Sequence, residues 1–320
     1  MMGINEMLLD DLVDGFIKFK QATGRSYNTE IYYLNQFKAL CKKRGCLSIP
    51  SKPEFMEWMI RRPEELPQTQ HTRLSPIRQL YSYMCDIGIE IKFSLSKSVR
   101  TYGDRYRPHY IREDEMSRFF SACDKIKARK VNPCREAILP AAFRLIYCCG
   151  LRPIEAIKLE TADVHLENGY IDIIGSKNHN DRRLPINCEL INYLSEYIQK
   201  VRVVWPSHKY FFPKGAEKHY ARDYLWLNFN KIWDSSVGRS ADGIVRLYDV
   251  RHHFAFANIN RWAREGKNVN SMIAYLSRYM GHSSIESTYY YIHLAPEYFN
   301  DYANTIKKLS DILPEVDYED

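Results

Sequence analysis

From residue 8 to residue 88 apolar side chains recur at intervals of three and four. Leu8, Leu12, Phe16 and Phe19 make one stripe, and Ile31, Leu34, Phe37 and Cys41 a second. That spacing puts the apolar groups on one face of an α-helix. The basic end Lys42-Lys43-Arg44 followed by Gly45 reads as a helix stop. Ser51-x-x-Glu54 is a capping-box pattern opening a third helix around Phe55, Trp58 and Met59. A fourth helix carries Leu74, Ile77, Tyr81 and Met84 and stops at Gly88. Four short amphipathic helices predict a small bundle, with core packing as the purpose of the stripes.

The stripes fade after residue 91, where Arg107-Pro108-His109 breaks regular structure, and resume with acids in a first turn at Glu113-Asp114-Glu115 ahead of Met116, Phe119, Phe120 and Cys123. A further helix is expected from about Arg135 to Cys149, ended by Gly150. Between Val164 and Ile186 the period changes from helix-like to alternating. Val164–Leu166, an Asn168-Gly169 turn and Tyr170–Ile174 predict a hairpin, and Arg182–Ile186 a third strand beyond a loop at 175–181. The remainder reads as helices over 188–203, 219–234, 249–263, 269–280 and 285–292, with Phe211-Phe212-Pro213 as a break. The expected fold is mainly α with one small antiparallel β-sheet: residues 1–91 a helical domain, 92–110 a linker, 111–299 a second domain and 300–320 a tail.

Composition narrows the function classes. With 320 residues, 45% hydrophobic and 27% charged, the chain has ample material for two cores. No apolar run approaches the length of a membrane span, and the start Met1-Met2-Gly3-Ile4-Asn5-Glu6 has no leader pattern, so a cytoplasmic location is expected. The eight cysteines contain no C-x-x-C pair and are expected to be reduced and mostly buried. No phosphate-binding Gly-rich loop, H-E-x-x-H or G-x-S-x-G occurs, and the acids form no evident metal cluster, so neither a cofactor nor a metal is expected.

Charge distribution says more than the net +7. The last 20 residues hold two basic and six acidic side chains, which leaves the rest of the chain strongly positive. Lys92, Lys97, Arg100, Arg105, Arg107 and Arg112 form a strip opposed only by Asp104. Such a strip suits a phosphate backbone, because each neutralised phosphate releases condensed counterions; a solvated linker has the same composition.

The residues with chemistry stand at element ends. Arg152 follows Gly150-Leu151 and opens Pro153-Ile154-Glu155, where a guanidinium adds to the free backbone N–H groups of a helix start and suits an oxyanion. Lys177 lies in the loop between two strands. Arg251 sits in Tyr248-Asp249-Val250-Arg251-His252, and Gly281-His282 precedes Tyr289-Tyr290-Tyr291. Taken singly, each has a bland explanation: a surface pair with Glu155, a solvated lysine, a loop histidine, a packing tyrosine.

In this order the motifs resemble the tyrosine recombinase, or phage integrase, family. Its pattern is an Arg in G-L-R with an acid three positions on, a Lys in a β-hairpin, H-x-x-R, G-H, and a Tyr nine positions after that His. Here the matches are Arg152 with Glu155, Lys177, Arg251, His282 and Tyr291, and the hairpin match extends to Arg182 and Pro185. The motifs span about residues 110–295, and the N-terminal bundle looks like the family's core-binding domain. One position departs: the histidine of H-x-x-R is Tyr248. A phenol with a reference pKa near about 10 is no imidazolium at neutral pH, so another group takes the proton from Tyr291 or the reaction is slower. His252, one step beyond Arg251, is expected about a quarter-turn off that face and is assigned no role.

The resemblance implies a DNA breaking-and-rejoining enzyme needing neither metal nor ATP. Tyr291 would be the nucleophile, forming a 3′-phosphotyrosyl intermediate. Arg152, Arg251 and His282 would stabilise the transition state, and Lys177 would protonate the leaving 5′ oxygen. Double-stranded DNA is the implied partner, bound by two domains with the basic strip crossing between them, together with further copies of the chain, a tetramer on two sites, and accessory proteins. Phe299, Tyr302, Ile306, Leu309 and Leu313 give the tail an apolar stripe, expected to dock on the next protomer. The odd Tyr248 favours an integrase or transposase of a mobile element. The alternatives are a Xer-like recombinase resolving chromosome dimers, a type IB topoisomerase, and a DNA-binding relative that has lost catalysis.

Overall fold

The computed structural model describes residues 8–24, 27–91, 93, 108–176, 180–239 and 244–292. Lys92, Lys97, Arg100, Arg105 and Arg107, the loop lysine Lys177 and the tail at 300–320 lie outside them. The chain divides into two compact units, Met1–Tyr106 and Arg107–Asp320.

The first unit holds α1 (Leu9–Ala22), α2 (Asn28–Lys43), α3 (Lys52–Met59) and α4 (Pro67–Asp86). Helices α1, α2 and α3 all pack on α4, and each packs on α2 or is α2 itself. The stripes of α2 and α4 are the core: Leu34, Phe37, Cys41, Leu74, Ile77, Tyr81 and Met84 are all buried. In α1 the expected stripe is displaced. Leu8 and Phe19 are exposed, and Leu9 and Val13 join Leu12 and Phe16 inside. Adjacent apolar pairs in Leu8-Leu9 and Leu12-Val13 let the helix roll by one position without losing amphipathicity.

At the start of α3 the Glu54 carboxylate accepts hydrogen bonds from the Ser51 N–H at 2.9 Å and the Ser51 hydroxyl at 2.6 Å. A buried guanidinium completes this unit. Glu65 accepts from Nε and Nη2 of Arg73 at 2.8 Å each, and the carbonyls of Trp58 and Ile60 accept from the same group. With every side satisfied, the charge is tolerated inside an apolar core.

The second unit runs α5 (Glu113–Cys123), α6 (Arg135–Cys149), α7 (Pro153–Lys158), β1 (Val164–His165), β2 (Tyr170–Ile173), β3 (Arg182–Pro185), α8 (Cys188–Val204), β4 (Pro213–Gly215), β5 (Lys218–His219), α9 (Arg222–Ser236), α10 (Leu247–Arg264), α11 (Val269–Met280) and α12 (Glu286–Ile292). The strands form an antiparallel sheet in the order β1-β2-β3, with Ile173 opposite Arg182. A 3-10 turn at Leu166–Asn168 and a left-handed Gly169 (φ +72°) link β1 to β2, where a tight Asn-Gly hairpin was expected. The Phe211–Pro213 break opens into the β4–β5 hairpin, and α9 starts at Arg222 rather than at 219.

Helix α6 lies at the centre, packed on α5, α7, α8 and α10. Phe119, Phe143, Phe229 and Trp233 anchor its core, with ring centroids 5.0–6.0 Å apart. A second core belongs to α10, α11 and α12 and includes Phe256, Ile259, Ile273, Met280 and Tyr291. Its position against α6 brings the ends of α6 and α11 together. Among the described residues no helix is long and apolar enough to cross a membrane.

Candidate active site

Two helix ends build the site. Helix α6 stops at Gly150, whose φ of +59° is the left-handed conformation glycine adopts without strain. Buried Leu151 follows, and Arg152 is the N-cap of α7 with Pro153 behind it. Helix α11 stops in the same manner at Gly281, φ +68°. The His282 N–H bonds the Ser277 carbonyl at 3.0 Å, the six-to-one closure of a Schellman motif, so His282 leaves the helix end in a fixed direction. Both glycines are also close-packed. A Cβ on Gly150 would lie 2.5 Å from a ring carbon of Phe254, and one on Gly281 would lie 2.7 Å from Arg182 Nη1.

Arginines tie these turns to each other. Arg152 Nη2 donates to the Gly281 carbonyl at 2.7 Å. Arg251, from α10 and fully buried, donates Nη1 to the Gly150 carbonyl and Nη2 to the Met280 carbonyl, each at 2.6 Å. Among the described residues its Nε has no hydrogen-bond partner. Arg182, at the start of β3, donates Nε to the Tyr279 carbonyl at 2.7 Å. One carboxylate serves all three. Glu155 meets Arg152 Nη1 at 2.6 Å, Arg182 Nη2 at 2.9 Å and Arg251 Nη1 at 4.0 Å, and it also accepts the Arg152 N–H at 2.9 Å. Burial opposes ionisation of Glu155, but the hydrogen bond and charge of Arg182, with those of Arg152, outweigh it and hold the carboxyl below its usual range. Three guanidinium groups against one carboxylate leave a surplus of positive charge here. Arg152 and Glu155 also line a cleft of about 240 Å³ with Lys158 and Ile173–Ser176, the last described residues before Lys177.

His282 and Tyr291 stand beside this cluster. His282 Nδ1 and Thr288 Oγ1 are 2.6 Å apart, and Thr288 is fully buried in α12. The His282 ring lies alongside the Tyr291 ring, centroids 6.0 Å apart and planes 22° from parallel. Burial, then the charges of Arg251, Arg152 and Arg182, push the His282 imidazole down to about 4, so it is neutral near pH 7. Tyr291 is 3% exposed and walled by Phe256, Tyr290, His252 and His282. Burial pushes its phenol up to about 12, against the pull of Arg251. Tyr289 is exposed and Tyr290 half-buried, so of the three adjacent tyrosines Tyr291 is the one that is buried.

His252 is where the structure corrects the sequence reading. Its Nδ1 is 3.1 Å from Tyr291 Oη. The quarter-turn counted from Arg251 measures from a residue that points into the core. Counted from Tyr248 the step is four residues, about 40° around the helix, so the two share one stripe. Tyr248 itself is 40% exposed and packs its ring on His252, with centroids 5.1 Å apart at 67°. The usable signal was the i, i+4 pair Tyr248/His252. Thr288 and the carbonyls of Gly150, Met280 and Gly281 carry no such signal.

Arg112, the one described residue of the basic strip, is the exposed N-cap of α5, its guanidinium 3.1 Å from Asp114 and 3.5 Å from Glu115.

A family description, the phage integrase family, matches residues 109–297. The integrase/recombinase y4rE of Sinorhizobium fredii is 24% identical over 223 residues, covering 69% of this chain and 71% of that protein. The tyrosine recombinase XerD of Listeria innocua is 20% identical over 309 residues, covering 89% and 95%. Among solved structures, the Tn1549 transposon integrase in complex with circular intermediate DNA superposes with a TM-score of 0.65 at 18% identity, covering 95% of this chain and 100% of that one. A lambda integrase dimer bound to a COC′ core site gives 0.61 at 16% identity, covering 91% and 96%. With more than half of its length matched, and with Arg152, Arg251, His282 and Tyr291 gathered at two adjoining helix ends, the chain belongs to the phage integrase family of tyrosine recombinases.

Proposed function

We propose that this protein is a site-specific tyrosine recombinase that cuts and rejoins duplex DNA in the cytoplasm through a 3′-phosphotyrosyl intermediate, in the service of a mobile element. The observation that carries the reading is the convergence of Arg152 and Arg251 on the Gly150 and Met280–Gly281 carbonyls, beside the phenol of Tyr291. In the proposed step Tyr291 Oη loses its proton and forms a bond to phosphorus. The bond from phosphorus to the 5′ oxygen breaks, and that oxygen leaves with its electron pair. Lys177, on the loop between β2 and β3, protonates it.

The transition state carries more negative charge on its non-bridging oxygens than the diester does. Fixed guanidinium groups lower its energy selectively, and each preorganised donor contributes roughly 10²–10³ in rate. Arg152 and Arg251 take that role here, with neutral His282 as a hydrogen-bond donor through Nε2 when Thr288 donates to Nδ1. The ester keeps the energy of the broken bond, so rejoining needs no nucleotide. Lys92, Lys97, Arg100, Arg105, Arg107 and Arg112 are assigned to the DNA backbone, and a tetramer on two sites is the assembly that exchanges strands.

The superposition on a transposon integrase favours the mobile-element assignment. The alignment with a XerD recombinase over 89% of the chain favours a second reading, resolution of chromosome dimers. The test is a suicide duplex, nicked so that the cleaved strand diffuses away, built on sites recovered from sheared source-genome DNA. A covalent adduct made by the parent and absent in Tyr291→Phe is expected, with sites at element ends. Sites confined to one chromosomal locus would select the second reading, and no adduct on any recovered DNA would overturn both.

A further inference from the structure

We propose that His252 is the catalytic residue that accepts the proton of Tyr291, and that Tyr248 positions it, so that the tyrosine at the unusual position supports a base one helical turn away. The proposal rests on Tyr291 being the nucleophile.

The geometry leaves His252 as the acceptor. Its Nδ1 is 3.1 Å from Tyr291 Oη, within hydrogen-bond reach of the proton to be removed. An Nδ1 that accepts from a phenol is unprotonated, so the neutral ring carries its hydrogen on Nε2. The neighbouring groups are otherwise engaged. His282 lies flat beside the Tyr291 ring with Nδ1 bound to Thr288. Glu155 is held by Arg152 and Arg182. Tyr248 rests its ring on the imidazole at i, i+4 spacing and so fixes the rotamer that points Nδ1 at Oη.

Among the described residues, the charged and titratable groups around His252 are Arg251 and Tyr248 on its own helix, Tyr291 on α12 and His282 in the turn before it. Burial, then the charge of Arg251, pushes the imidazole down to about 4, which keeps it in the accepting form at rest. A DNA phosphate arriving beside Arg251 offsets that positive charge and raises the basicity of His252 when a base is needed. The proton then passes from Oη to Nδ1 as the oxygen–phosphorus bond forms. The imidazolium returns it to the phenolate in the rejoining step.

Two experiments on the full chain test this. In the first, covalent adduct formation is timed on the suicide duplex with the parent, His252→Phe, His252→Gln, Tyr248→Ala and Tyr248→Phe. His252→Phe and His252→Gln are expected to be slower by about 100-fold or more, the usual scale of general-base catalysis. Tyr248→Phe, which keeps the ring, is expected to recover most of what Tyr248→Ala loses. A duplex with sulfur in place of the leaving 5′ oxygen needs no proton on departure. It is expected to rescue Lys177→Ala and leave His252→Phe slow. Adduct formation by His252→Phe within threefold of the parent, or its rescue by sulfur, overturns the proposal while leaving Tyr291 as nucleophile. A parent that makes no adduct overturns the recombinase reading and this one together.

The second measurement needs no DNA or variant fold at His252. Nitrogen-15 NMR of the parent is expected to show His252 Nδ1 unprotonated and hydrogen-bonded, with its shift moving in Tyr291→Phe. A protonated Nδ1 at pH 7.5 overturns the proposal.

Discussion

Arg152 and Arg251, 99 positions apart in the chain, donate to the consecutive carbonyls of Gly281 and Met280. Two successive peptide groups therefore hold both guanidinium groups, and the helix end leading to the Tyr291 helix is tied to the helix end that starts α7. Lysine has a single ammonium and cannot span a carbonyl and an anion with a rigid fork. Arg152→Lys and Arg251→Lys are each expected to slow adduct formation by about 10²–10³ at saturating DNA, the scale of a lost transition-state donor. Quench-flow sampling of the suicide reaction measures it, and a rate within fivefold of the parent would count against the assignment.

Glu155 is the counter-charge for this cluster. Replacing it leaves Arg182, whose side chain is 6% exposed, without its carboxylate. Breaking a buried pair from one side costs about 3–5 kcal/mol. Glu155→Ala is accordingly expected to lower the urea midpoint of the catalytic unit sharply, and Glu155→Gln, which keeps some hydrogen bonds, by less.

Gly281 combines a left-handed φ with a crowded Cβ position 2.7 Å from Arg182 Nη1. Gly281→Ala adds backbone strain of about 1–3 kcal/mol and displaces a guanidinium from Glu155. The expected result is a lower melting temperature together with a slower adduct. A glycine with open space beside it, such as Gly24 or Gly45, is expected to show no effect on the adduct.

Thr288→Val keeps shape and removes the hydroxyl that faces His282 Nδ1. With that partner gone the imidazole is free to take either tautomer and to turn. Adduct formation is expected to fall by about tenfold, within the range for a perturbed acid–base group, with DNA affinity kept. Equal rates would show that the ring is held by its stacking on Tyr291 alone.

Acid is expected to destabilise the catalytic unit. His252 and His282 each have a folded value pushed down to about 4 from an ordinary 6.5, so between those limits the unfolded chain binds more protons. Stability from this source is fully present above pH 6.5 and is lost as pH falls toward 4. At pH 5 the loss is at most about 2 kcal/mol per histidine, from about 1.4 kcal/mol for each pH unit traversed. Urea unfolding at pH 7.5 and pH 5 measures it, and His282→Gln is expected to flatten the dependence.

Much of the fold was legible because it rests on local rules. The stripes of α2 and α4 are single apolar faces and predict their own burial, and Gly150 and Gly281 after apolar runs mark helix ends that the structure closes in the left-handed form. The small β4–β5 hairpin was not legible: Pro213–His219 has no alternation, and its pairing follows from the chain packed around it. At the site, Arg152, Arg251, His282 and Tyr291 were singled out by the resemblance of their motifs to the tyrosine recombinase pattern, and the structure places them near one another. His252 was missed because its relation to Tyr291 is a contact between two helices, 39 residues apart, which periodicity within one helix does not report.

The 3% exposure of Tyr291 has a bearing on genome safety. With Tyr291 in the proposed attacking role, its burial behind aromatic walls and its weakly acidic phenol would keep the free enzyme from reacting with any duplex that brushes past it. On that proposal, strand scission would wait for a docked phosphate to uncover the phenol and wake the base in one event. A protein able to sever chromosomes would thereby be harmless until it had found its address.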